Sequence, residues 1–392
     1  MESIFRTHAY LIEHNKTVIR RNLMDEINWN DRLIGIKGAR GVGKTTFLLE
    51  YAKEKFGISR DCLFINMNNF YFASHSIVDF ADYFQRQGGK VLLIDQVFKH
   101  PEWSKELREC YDRFPNLRIV FTGSSVMRLK EENSELNGIV KSYNLPGLSF
   151  REFINLKAGT DLPVYNFEDI LRRHRTIAKE INAKVNPLDY FHDYLHHGYY
   201  PFFLEKRNYS ENLLKTMNMM IEVDILLIKQ IELKYLSKIK ELFYRLAIAG
   251  PKAPNVSQLA TDIHTSRATV MNYIKYLADA RLINMVYAQG EAFPKKPARV
   301  LMHNSNLMYT IYPNESTPSD IHNTFIVNAL WKDHVVNEGD KSSSFIIDNK
   351  YEFKMNYKRI REKQRKAVFY LKDDIEIGEE NLIPLWLFGF LY

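Results

Sequence analysis

Apolar residues fall along this chain in two rhythms. Leu33-Ile34-Gly35-Ile36-Lys37, Cys62-Leu63-Phe64-Ile65-Asn66, Lys90-Val91-Leu92-Leu93-Ile94-Asp95 and Leu117-Arg118-Ile119-Val120-Phe121 are nearly continuous apolar runs of strand length. Such runs predict strands covered on both faces, as in a parallel sheet flanked by helices. Between them the spacing widens to three and four, predicting helices over Phe47–Lys53, about 75–87, and Pro101 to about Arg113. Gly88-Gly89 stops the middle one. Leu11, Ile12, Val18, Ile19, Leu23, Ile27 and Trp29 predict an amphipathic lead-in helix over 11–30, packed beside the sheet.

Beyond about 150 the pattern turns helical and aromatic to about 235, with Tyr190, Phe191, Tyr194, Tyr199, Tyr200, Phe202 and Phe203 clustered. The stripe predicts packing in a helical lid, base stacking being the other use of such rings. Over 236–312, Leu242, Leu246 and Ile248 share one helix, and Ser257 caps a second carrying Leu259 and Ile263. Ser266 caps a third, with Val270, Tyr273, Ile274 and Leu277 at i, i+3, i+4 and i+7. A strand to Tyr287, the loop Gly290–Pro297 and a returning strand Val300–Met302 add a wing. The expected architecture is a three-layer α/β sandwich over 1–150, a helical lid over 151–235, a winged helix over 236–312 and a small α/β unit over 313–392.

Composition adds little to this division. At 392 residues the chain exceeds one core, and 45% hydrophobic residues let every part bury its own. A net charge of +7 permits an anionic partner and equally suits a solvated protein carrying nucleotide. With only Cys62 and Cys110 there is no disulfide framework, and the absence of any long apolar run argues against a membrane span. The expected setting is the reducing cytoplasm, with no membrane partner. The oligomeric state is left open, a homo-oligomer included.

Candidate chemistry changes the picture more. Gly38-Ala39-Arg40-Gly41-Val42-Gly43-Lys44-Thr45 is a full G-x-x-x-x-G-K-[ST] phosphate loop, with Thr46 behind it. It lies between a predicted strand and a predicted helix, the context that separates such a loop from a chance glycine-rich turn. Glycines allow backbone N–H groups to face phosphate oxygens, and the helix adds the positive end of its dipole. Lys44 is then expected on the β- and γ-phosphates and the Thr45 hydroxyl on Mg²⁺. Asp95 ends an apolar strand and completes a second metal-binding position, a strand-ending cap being the plainer reading. Gln96 follows it, where P-loop ATPases of this arrangement usually carry an acid that polarises water. Glutamine orients water by hydrogen bonds but takes no proton, so turnover is expected to be slow. Thr122-Gly123-Ser124-Ser125 ends the next strand, and Ser124 is the expected sensor of the γ-phosphate; a turn capping the following helix is the alternative. No N-K-x-D guanine motif is present, which favours ATP.

These residues, together with Pro101-Glu102-Trp103-Ser104 and Leu145-Pro146-Gly147-Leu148-Ser149-Phe150-Arg151-Glu152, resemble the AAA-superfamily ATPases common in anaerobic bacteria and archaea. The likeness extends through Gly198–Phe203, Asp374–Gly378 and Ile383–Gly389, so it covers essentially the whole chain. Members carry a C-terminal domain of unknown function. The resemblance implies ATP binding with Mg²⁺ and hydrolysis that drives a switch or motor. Two departures weaken the second implication: Gln96 replaces the family's Glu, and Leu136–Lys141 lacks the arginines that often precede the Leu-Pro-Gly element.

A DNA-binding regulator is the competing expectation. Arg267, Thr269, Asn272 and Lys275 on the third helix, with Lys295 and Lys296 on the wing, could meet a groove and its phosphates. The last unit resembles restriction nucleases, and Asp340, Glu352 and Lys354 stand in Asp…Glu-x-Lys order, a spacing easily met by chance. Residues 351–366 carry seven basic and two acidic side chains, net +5, which keeps nucleic-acid contact open.

Overall fold

The computed structural model describes residues 2–15, 19–127, 129, 133–205, 208–314, 316–340, 343–355 and 368–392. They form two compact units, Met1–Pro146 and Gly147–Tyr392.

The first unit opens with helices α1 (Glu2–His14) and α2 (Leu23–Glu26), so the single helix expected over 11–30 is two pieces, the first beginning nine residues earlier than predicted. The apolar count overlooked the polar stretch after Ile12, where Asn15 competes for backbone hydrogen bonds and favours a helix end; Val18 of that reading lies outside the described residues. There follow β1 (Leu33–Gly38), α3 (Lys44–Lys55), β2 (Cys62–Asn66), α4 (Ile77–Arg86), β3 (Val91–Asp95), α5 (Trp103–Arg113), β4 (Arg118–Ser124) and β5 (Lys141–Asn144). The strands pair in the order β2-β3-β4-β1-β5, all parallel. Their apolar runs are buried on both faces, which is why they read as continuous rather than alternating. Ser76 caps α4 by accepting from the Asp79 N–H at 3.0 Å, and Gly88 ends it with φ +87°.

Register positions the chemistry. Asn66 lies opposite Asp95, Ile94 opposite Phe121, and Gly38 opposite Ser124, so the carboxyl ends of four strands meet at one edge. β4 continues through Thr122, Gly123 and Ser124 rather than ending in a turn at Thr122. Pairing with Ile36, Lys37 and Gly38 of β1 holds these polar residues in the ladder whatever their side chains prefer.

In the second unit, Ser149 and Glu152 form a reciprocal capping box at the start of α6 (Phe150–Ala158), with the two hydrogen bonds at 3.1 and 3.0 Å. Then come α7 (Phe167–Asn182), α8 (Leu188–His197), α9 (Tyr209–Met219), a π-helical stretch Met220–Ile225 and α10 (Leu226–Lys229). Tyr199 and Tyr200 are buried, and Phe150, Phe191 and Tyr194 pack ring against ring at 5.0 and 5.3 Å.

Helices α11 (Leu236–Ala249), α12 (Val256–Asp262) and α13 (Arg267–Asp279) precede an antiparallel pair, β6 (Ile283–Val286) and β7 (Arg299–Met302). Asn255, not Ser257, caps α12, accepting from the Gln258 N–H at 3.2 Å, because the helix begins one residue before the serine. Leu242 and Leu246 are buried, whereas Ile248 is 44% exposed; two residues on from Leu246 it has rotated to the far side of the helix. After α14 (Ser305–Ile311) and α15 (Pro318–Leu330), a second sheet is built from β8 (Val336–Glu338), β9 (Phe345–Ile347), β10 (Tyr351–Met355), β11 (Val368–Lys372) and β12 (Leu382–Pro384), ordered β12-β11-β10-β9-β8.

Glu352 and Lys354 share the face of β10 opposite buried Phe353, while one Asp340 carboxylate oxygen accepts from the backbone N–H and hydroxyl of Ser343. Residues 356–366 of the basic run lie outside the described residues. Among the described residues no group of three or more His, Cys, Asp or Glu side chains could hold a metal ion, and no helix is long and apolar enough to cross a membrane.

Candidate functional site

The loop between β1 and α3 has the backbone a phosphate cradle requires. Gly41 and Gly43 take φ of +86° and +96°, a region that side chains disfavour, and Gly43 sits at the N-cap of α3. At Gly38 the constraint is space, since a Cβ there would lie 2.5 Å from the Leu145 carbonyl oxygen. Ala39 and Val42 are buried, Arg40 is half-buried, and Thr45 and Thr46 are exposed at the helix start. The Lys44 ammonium donates to the carbonyls of Gly38 and Ala39, each at 2.8 Å, so its charge rests within the loop.

Asp95 gathers the other strands. Its Oδ2 accepts from the Thr45 hydroxyl at 2.9 Å and from the Asn66 amide at 2.8 Å, and its Oδ1 accepts from the Thr122 hydroxyl at 2.6 Å. The carboxylate is buried, and these bonds offset much of the cost of removing its charge from water. A carboxylate and a hydroxyl in contact supply the hard oxygen donors that Mg²⁺ takes, so Thr45 and Asp95 fit that ion. Gln96 follows in a left-handed conformation, φ +56°, and donates its N–H to the Thr122 oxygen at 2.9 Å. An L-residue in that region costs ~1–2 kcal/mol, here borne directly beside the carboxylate.

Three contributors were not evident in the sequence. Asn66 and Thr122 reach Asp95 because of strand register, and a signal existed: each is the polar residue that closes or follows an apolar run, as Asp95 does. Ser124, the expected sensor, is buried and lies opposite Gly38 in register, its hydroxyl accepting from the Val126 N–H at 3.3 Å. Arg21 is the third. Its guanidinium is buried and donates to the Val42 carbonyl at 3.1 Å and the Pro146 carbonyl at 2.8 Å, bracing the loop from behind. No pattern of residue types announces a side chain that binds carbonyls.

On α3, burial pushes the Glu50 carboxyl up to about 7, with Glu54 adding to the shift and Arg20 and Arg21 opposing it. Burial also pushes the Cys62 and Cys110 thiols up to about 12, which removes both as nucleophiles near neutrality.

Residues 30–154 match a family described as AAA domain. Residues 30–154 are an AAA-type P-loop domain. Residues 188–301 match a second family, a domain of unknown function designated DUF8612. No curated protein matches the chain. Among solved structures, the Orc1 protein of Aeropyrum pernix in complex with DNA is 12% identical, covering 80% of this chain and 92% of that one, with a TM-score of 0.29. AMPPCP-bound DnaA from Aquifex aeolicus is 14% identical over 70% of this chain and 86% of its own, with a TM-score of 0.26. PCH-2 of C. elegans is 21% identical, with a TM-score of 0.22; the match covers 42% of this chain and spans about half, 48%, of that protein.

Proposed function

We propose that the AAA domain binds ATP with Mg²⁺ and hydrolyses it slowly, so that the chain works as a nucleotide-driven switch or motor. The observation that carries this reading is the contact between Thr45 and Asp95 beside a lysine-filled glycine loop. Lys44 would exchange its two carbonyl acceptors for β- and γ-phosphate oxygens, while the loop N–H groups of residues 40–45 line the phosphates. Thr45 and Asp95 would hold Mg²⁺, whose chemistry is to neutralise charge on the phosphate oxygens. Asn66 and Thr122 fix the carboxylate. Gln96 would orient the attacking water without accepting its proton, which lowers the rate and leaves binding intact. Calorimetry with Mg-ATP tests this: tight binding is expected for the wild type and none for Lys44→Ala. Equal affinity in both would overturn the reading.

A second reading, a DNA-binding regulator whose conformation nucleotide sets without turnover, is favoured by one feature of α13. Arg267 and Asn272 are exposed on it, although Lys275 is half-buried and paired with Asp279 at 2.8 Å, and Thr269 bonds the Ser266 hydroxyl. Phosphate release faster than about one turnover per minute, well below typical enzyme rates, would support the motor. DNA affinity that does not change between nucleotide-free and ATP-loaded protein would exclude the switch.

A further inference from the structure

The last two turns of α8 carry His192, Asp193, His196 and His197 on one side of the helix. His192 and His196 stand four residues apart, as do Asp193 and His197, so each pair stacks one turn above the other. His192, Asp193 and His196 are exposed and His197 is half-buried. The Nδ1 atoms of His196 and His197 lie 3.3 Å apart. The His196 ring packs on Tyr309 at 4.6 Å, and Phe153 and Phe203 flank the His197 ring at 6.3 Å, so neighbouring side chains hold both imidazoles in place.

That spacing has a chemical meaning. Two ligands at ~2.0–2.1 Å on a tetrahedral ion stand about 3.3–3.4 Å apart, whereas ligands at a right angle stand about 2.9 Å apart. The two nitrogens are therefore already set at the width of a tetrahedral zinc ion. Burial lowers the pKa of both rings, which leaves them in the neutral form that binds metal. Each then needs only to carry its proton on Nε2. Asp193 brings negative charge to both rings, and Lys157, over the rings of Phe153 and Phe203, opposes it at His197. Both histidines also sit in the last turn of α8, where the helix dipole presents its negative end to a cation.

We propose that His196 and His197 chelate a zinc-class divalent cation through their Nδ1 atoms, with Asp193 lending charge from the preceding turn. Two imidazoles fall short of the three protein ligands of a catalytic zinc centre, so water completes the tetrahedron and the affinity lies below that of structural zinc sites.

Zn²⁺ is the probe, titrated into the nucleotide-free, full-length protein against a chromophoric chelator. One saturable site should appear, and Mg²⁺, which prefers oxygen ligands, should not compete for it. His196→Gln changes an exposed residue and should weaken binding by about a hundredfold, since even the outer supports of a metal site are worth about ten- to a hundredfold. His197→Gln should do the same, and Asp193→Asn should weaken binding severalfold through lost charge. His192→Gln and His75→Gln should leave it unchanged. Zinc-edge X-ray absorption should count two imidazoles at ~2.0–2.1 Å. The proposal is overturned by the absence of a saturable Zn²⁺ site, by a site that His196→Gln leaves intact, or by one lost in His192→Gln and kept in His197→Gln.

Discussion

Asp95 joins three neighbours with unequal consequences. Thr45 and Asn66 share Oδ2, the oxygen closest to the glycine loop, whereas Thr122 holds Oδ1 and the backbone of Gln96 together. Gln96→Glu should therefore place a carboxylate on a backbone already fixed, raising single-turnover hydrolysis by ~10²–10⁴-fold, the usual worth of a general base. A rate no higher than wild type, with nucleotide affinity kept, would shift the limitation to the absent arginine. Arg21 makes a different prediction. Because a trans peptide points its C=O and N–H in opposite directions, holding the Val42 carbonyl outward turns the Gly43 N–H inward. Arg21→Met should weaken Mg-ATP binding by about tenfold in calorimetry, the effect of losing a charged hydrogen bond; unchanged affinity would show that the loop holds its shape alone. The motif itself was legible residue by residue. Its supports were not, since Asn66, Thr122 and Arg21 act through register and through carbonyls that no spacing rule records.

Among the elements, those that carry their own start signal were legible and those set by neighbours were not. Ser76, Ser149 and Ser266 cap helices through local hydrogen bonds, whereas the length of β4 depends on β1 and the break after α1 on a polar stretch that periodicity ignores. Ser149→Ala should cost ~1–2 kcal/mol in denaturant unfolding, since the capping box is buried. Helix α1 supplies a pH prediction. His8 is buried, its Nδ1 accepts the Phe64 N–H of β2 at 3.1 Å, and burial lowers its pKa from 6.5 to about 4. With the folded pKa depressed, the neutral form's contribution is complete above pH 6.5 and falls away as pH drops towards 4, by about 3 kcal/mol in all. Glu50 runs the other way, its raised pKa removing stability as pH rises from 4.5 through about 7. His8→Asn retains an acceptor for the strand but does not titrate. It should flatten the acid limb of a stability-against-pH curve, and a curve unchanged from wild type would remove His8 from the account.

On the scale of the whole molecule, two units with separate cores should respond separately to ligands. Mg-ATP at about a hundred times its Kd should raise the unfolding free energy of the first unit by about 2.7 kcal/mol. Scanning calorimetry should show that rise in one transition only, and none in Lys44→Ala. The place of β2 in the sheet has a further consequence. It is the outermost strand beside β3, and His8 receives one N–H on its free side. Protonating His8 removes that acceptor and leaves an apolar strand, Cys62-Leu63-Phe64-Ile65, with an unpaired donor. An outermost strand with an unpaired donor, once its cover loosens, is a template for pairing with another chain. Below about pH 4, where the folded His8 gains its proton, the protein should form intermolecular β-structure, visible as light scattering with a low-frequency amide I band. His8→Asn, which keeps an acceptor for the Phe64 N–H but does not titrate, should suppress the aggregate.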